Sequence, residues 1–207
     1  MEGEGDAGGP EKPAPRLVLP IEPPIDHGGE RWDQIELREP RVSEVKASEE
    51  VMGATATPAA VLDAEAKLVA LVGGVPDEVI AKLPTSVLNA GADYLQSFEP
   101  FGRSHRDDDP ALLLELDEPV EVQKGSFTEI PLREPRVGER RKAEQHLSRG
   151  ITPAAYRAME VALVTAVSEL PPAAVLKLPI SAFARSAEYL TGFFERGRGT
   201  GRKSRPT

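Results

Sequence analysis

Three histidines, His27, His105 and His146, are the only side chains here whose ordinary pKa lies near neutral pH. A reaction centre needs such a group held beside a nucleophile, a carboxylate or a metal ligand. These three fall in an expected turn, an expected linker and an expected polar helix, and they read as solvated side chains. Asp107-Asp108-Asp109 offers oxygen ligands to a hard cation. It lacks the spaced ligands and the glycine of a calcium loop, so it reads as an acidic linker. Gly28-Gly29 and Gly73-Gly74 are isolated pairs, not a phosphate-cradling pattern between strand and helix, and they read as turns. The chain has no cysteine, which excludes disulfides and thiolate metal sites. The expectation is a protein that is not an enzyme and has no cofactor and no metal.

The elements that carry these residues are written twice. Leu37-Arg38-Glu39-Pro40-Arg41-Val42 returns 95 positions on as Leu132-Arg133-Glu134-Pro135-Arg136-Val137. At the same offset Thr57-Pro58-Ala59-Ala60 returns as Thr152-Pro153-Ala154-Ala155, and Lys82-Leu83-Pro84 as Lys177-Leu178-Pro179. No gap interrupts the match between residues 17–103 and 112–198. A unit of this length is a small domain and not a solenoid repeat. None of the three histidines has a histidine counterpart in the other copy.

Within each unit an apolar strand (Leu17–Ile21; Leu112–Leu116) leads through turn residues to a second strand carrying Trp32, Ile35 and Leu37, or Phe127, Ile130 and Leu132. The pair reads as a β-hairpin. Proline after Glu39 and Glu134 stops the strand, and a short polar helix follows near 43–51 and 138–147. Thr57-Pro58 and Thr152-Pro153 are helix starts, a hydroxyl N-cap with proline at the first helical position. Val61, Ala64, Leu68 and Val72, with Tyr156, Met159, Leu163 and Val167, then mark one face of a helix. A short helical turn between prolines precedes a last helix, from about Ser86 to Phe98 and from Ser181 to Phe194. The fold class is α+β: two tandem copies of a β-hairpin plus three-helix module (β-β-α-α-α) with disordered termini. The division is a disordered arm over 1–15, module 1 over 16–103, a linker over 104–111, module 2 over 112–196 and a disordered basic tail over 197–207. Leu68, Leu163, Leu95 and Leu190 are the expected core, and each module should fold alone.

Charge narrows the partners. The chain carries 25 basic and 34 acidic residues, a net −9. Nucleic-acid and membrane-surface binders show a basic face, so neither is expected as a partner. The basic tail lacks interleaved aromatics and reads as solubilising. The longest strongly apolar run, Leu68 to Val75, is too short to span a bilayer. The opening Met-Glu-Gly-Glu-Gly-Asp lacks the features of a signal peptide, and a cytosolic protein is expected.

Glu65 and Glu160 sit at matched positions flanking the apolar stripe and read as solvated boundary residues. Arg38-Glu39-Pro40-Arg41 reads as an ion-paired strand exit, with a partner-facing edge as the alternative. The aromatics are concentrated in or just after the last helix of each copy. Packing of that helix on the hairpin accounts for some of them. The surplus marks a partner surface, with Tyr94, Phe98, Phe101, Tyr189, Phe193 and Phe194 as its candidates.

The order of elements and motifs over nearly all of each module carries a resemblance. Ile130-Pro131-Leu132-Arg133-Glu134-Pro135, followed by Leu170-Pro171-Pro172-Ala173-Ala174-Val175-Leu176-Lys177-Leu178-Pro179, resembles small tail assembly chaperones of tailed bacteriophages, of the Mu-like kind. The first copy keeps Leu37-Arg38-Glu39-Pro40 but reads Val75-Pro76-Asp77-Glu78-Val79-Ile80-Ala81-Lys82-Leu83-Pro84. The resemblance implies a helper in the host bacterial cytoplasm that binds the tape measure protein during tail assembly and has no catalytic residues. A structural tail or baseplate component of a phage-like particle is the competing function. Family members usually carry one module, so the doubling is a departure, and self-association stays open.

Overall fold

The structure, a computed structural model, describes residues 11–105 and 109–196. The expected arm as far as residue 10, the acid-rich linker over 106–108 and the tail over 197–207 lie outside the described residues.

The first half runs β1 (Arg16–His27), β2 (Glu30–Arg38), α1 (Val42–Met52), α2 (Pro58–Gly73), a single turn α3 (Asp77–Ile80) and α4 (Thr85–Arg103). The second half repeats the order as β3 (Ala111–Val122), β4 (Gly125–Arg133), α5 (Val137–Glu144) with a 3-10 turn at Gln145–Leu147, α6 (Pro153–Ser168), α7 (Pro172–Val175) and α8 (Ile180–Arg196). This is the expected α+β class, with the short turn between prolines present as α3 and α7.

Each hairpin is antiparallel and self-contained, β1 on β2 and β3 on β4. The first strand is longer than its apolar core suggested. Pairing breaks between Pro20 and Ile25 and resumes at Ile25 opposite Trp32, and it breaks again between Glu115 and Val120. Prolines at 20, 23, 24 and 119 remove ladder donors there, so the strand kinks and then continues. The inward residues Ile35, Leu37, Ile130 and Leu132 are buried on the helices.

The Thr-Pro starts form as the sequence requires. Thr57 Oγ1 accepts the Ala60 N–H at 3.2 Å, and Thr152 Oγ1 accepts the Ala155 N–H at 3.1 Å. Leu68, Leu95, Leu163 and Leu190 are all buried. Tyr156 and Val61 fall at the edge of their stripe, and Tyr156 is exposed. The last helices run past their expected ends, α4 continuing through Pro100 to Arg103. In each half a tyrosine of that helix ties down the chain ahead of the first strand. Tyr94 donates to the Ala14 carbonyl and Tyr189 to the Asp109 carbonyl, both at 2.9 Å. Ala14, in the segment expected as a disordered arm, is thus tied to α4.

The buried apolar residues of the two halves form one continuous cluster. α4 lies along α8, and α1 packs on α6.

Candidate protein-binding surfaces

The repeated Leu-Arg-Glu-Pro-Arg-Val segment builds the same local device twice. Arg38 forms a fork on Glu44, with N–O distances of 2.6 and 3.0 Å, and Glu44 also accepts the Arg41 N–H at 2.7 Å. Arg133, Glu139 and Arg136 repeat it at 2.7, 3.0 and 2.7 Å. A carboxylate at the start of a helix satisfies an orphan N–H and opposes the helix dipole. The Arg133 fork holds the Glu139 carboxyl down to about 2.

In the first half this segment then does a second job: it docks on the second half. Val42 N–H donates to the Leu178 carbonyl at 3.1 Å, Ser43 N–H to Leu176 at 2.9 Å, and Ile180 N–H to Pro40 at 2.9 Å. Ser181 N–H donates to the Glu39 carboxylate at 2.7 Å, and Arg41 bridges Pro179. The first two bonds satisfy helix N-terminal donors that α1 cannot use itself. In the first half this edge is therefore covered by the chain's own second half.

Beside this seam lies a cluster of charges. Arg157 reaches Glu99 at 2.8 Å, Glu49 at 3.0 Å and Glu160 at 3.1 Å. Arg103 reaches Glu160 at 2.6 Å and Glu99 at 2.9 Å. Glu160 has no exposed surface, which corrects its reading as a solvated boundary residue. The face of α6 that carries it is covered by the first half, and two guanidiniums make its burial tolerable. Burial pushes the Glu160 carboxyl up against the pull of Arg103 and Arg157. Burial also raises Glu99, but Arg157 and Arg103 outweigh it and its pKa ends lowered. Glu65, the residue matched to Glu160, is half-buried and takes a bond from Gln96 at 3.1 Å. Arg157 was not singled out from sequence. The available signal was a difference between the copies, since Leu62 stands at its position in the first half.

The first half's copy of the α6 face is open. Val51, Leu62, Ala66, Ile80, Leu83 and Leu88 line a groove there, rimmed by Asp63, Lys67 and Asp77.

The six candidate aromatics divide. Phe98 and Tyr189 are core residues, so neither presents a surface to a partner. Their rings meet Tyr94 and Phe193 edge to face at 5.2 Å. Tyr94, Phe101, Phe193 and Phe194 are half-buried. Phe101 stands edge-on to His105, and Phe194 lies under the Arg140 guanidinium at 3.9 Å.

Among the described residues no group of three or more His, Asp or Glu is placed to hold a metal, and no helix is long and apolar enough to cross a membrane. The fold and these surfaces define a tandem α+β module with an open, mostly apolar groove on its first half. The family described as phage tail assembly chaperone proteins, E, or 41 or 14, matches residues 19–100 and again 113–195, and the chain belongs to it. No curated protein and no solved structure matches the chain.

Proposed function

We propose that the chain binds the tape measure protein in the host cytoplasm and shields it until the tail tube forms around it. The observation that carries this reading is the family match over both halves, together covering most of the chain. Physical features support it. A long helical partner exposes apolar surface before assembly, and a chaperone for it needs accessible apolar groups. Tyr94, Phe101 and Phe193 keep ring surface on the last helices and are the proposed contacts. Phe194, at the outer end of α8, remains a candidate contact. Two linked modules hold a repetitive partner by avidity even where each contact is weak. The competing reading is a structural part of the tail or baseplate.

Quantitative mass spectrometry separates the two. In lysates of cells assembling particles the chain should be abundant and recovered with the tape measure protein. From purified finished particles it should be missing. A fixed number of copies in every finished particle would establish the structural reading instead.

A further inference from the structure

The seam between the two halves joins unlike surfaces. The first half contributes what can be called a front: Glu39 to Ser43 with the outer faces of α1 and α4. The second half contributes a back: Leu176 to Ser181 with the face of α6 that carries Arg157. Each half has both surfaces, because each is a copy of the other. One front and one back are used inside the chain, which leaves the second half's front and the first half's back uncovered.

Exposure shows the vacancy at both ends. Val42 in the used front is 0% exposed, while its counterpart Val137 is 76% exposed. Arg157 in the used back is 4% exposed, while its counterpart Leu62 is 46% exposed and lines the open groove. Among the described residues the Val137 and Gly138 N–H groups at the start of α5 have no acceptor, whereas Val42 and Ser43 have theirs across the seam.

We propose that the chain associates head to tail with further copies of itself, the front of the second half of one copy docking in the first-half groove of the next. The contact repeats the one inside the chain. Val137 N–H meets the Leu83 carbonyl, as Val42 meets Leu178, and Ser86 N–H meets Glu134, as Ser181 meets Glu39. The side chains that change between the copies change together. Where Arg157 faces Glu99 inside the chain, the open surfaces carry Leu62 and Phe194. An ion pair is replaced by an apolar pair on both sides at once, which keeps the contact complementary. Glu144, at the position of Glu49, pairs with Arg140 at 2.7 Å and needs no cation from the next copy. Thr85 and Asn89 stand where Ile180 and Ala184 are buried, so the contact between copies is the weaker of the two. A contact of unlike surfaces leaves a free end on every added copy, so growth continues until a ring closes or the subunits run out. The proposal goes beyond tape measure binding and does not rest on it.

Sedimentation velocity of the purified full chain, from about 1 to about 500 µM, tests the proposal without any tape measure protein. The mean mass should rise with concentration beyond two chains. Val137→Asp, Phe194→Glu and Leu62→Glu should each weaken association at least about tenfold while leaving the thermal melt unchanged. An equimolar mixture of Val137→Asp and Leu62→Glu should stop at two chains, because one blocks only a front and the other only a back. Adding Leu62→Arg to Phe194→Glu should restore association by recreating the internal Arg–Glu contact. A wild-type chain that stays monomeric over the whole range, a Val137→Asp chain that associates like wild type, or a mixture that stays monomeric overturns the proposal. A Phe194→Glu/Leu62→Arg chain that stays monomeric overturns the copied geometry on which it stands.

Discussion

Glu139 and Glu160 show how position decides what a carboxylate does. Glu139 has two jobs, a fork to Arg133 and a helix-start bond to Arg136, and its pKa falls from 4.5 to about 2. The unfolded chain therefore takes up this proton first as pH drops. Glu139 contributes stability above about pH 4.5 and loses it on acidification towards about pH 2. Glu139→Gln should lower stability by about 1 kcal/mol at pH 7. It should also shrink the difference in urea midpoint between pH 7 and pH 3. An unchanged difference would place the acid-sensitive group elsewhere. Arg157 is the other decisive residue. Replacing it with Leu leaves Glu160 buried with one cation fewer, and Glu49 and Glu99 lose their shared partner. The loss should be about 3–5 kcal/mol by chemical denaturation. A loss under about 1 kcal/mol would mean that the cluster is wet and screened.

Helices α4 and α8 run in contact because a glycine lets them. A Cβ placed on Gly102 would lie 2.2 Å from the Ser181 carbonyl oxygen, which is backbone and cannot swing aside. Gly102→Ala should cost about 1–3 kcal/mol. On α8, Gly192 has open space around its missing Cβ, and Gly192→Ala should stabilise by about 0.5–1 kcal/mol. Opposite signs in two thermal melts check the packing, and equal signs would put the helices further apart. Most of each element was legible from sequence. The Thr-Pro caps, the Ile35 and Leu37 strand face and the Leu68 and Leu95 stripes follow from spacing and local chemistry, which short-range rules capture. The end of α4 did not follow, because the helix was expected to stop near Phe98, whereas it runs on to Arg103 against α8 in the other half. Glu160 was misread for a related reason. Its stripe position makes it a boundary residue within one module, and only the neighbouring half buries it. Phe98 was expected to pack on the hairpin and is buried, but Phe193, expected there too, is half-buried while Tyr189 is buried, since helical phase alone does not say which ring meets the hairpin.

As a whole the molecule is two similar halves that share one buried cluster through unlike surfaces. The expectation that each half folds alone now carries a cost. A free first half exposes Val42, and a free second half exposes the back built around Leu178 and Ile180. Cut between Ser104 and Pro110, each half should give a helical circular dichroism spectrum but melt several degrees below the intact chain. Two unfolded halves beside a chain that melts as one unit would show that neither module is a domain by itself. The doubling also bears on function, because linked copies of one surface suit a long repetitive partner. Co-expressed with a tape measure protein from the same phage or prophage, the wild-type chain should keep that protein soluble and co-purify with it. Phe101→Ser/Phe193→Ser should lose most of the recovery with little change in its own melt. No complex between the wild-type chain and the tape measure protein would contradict the account.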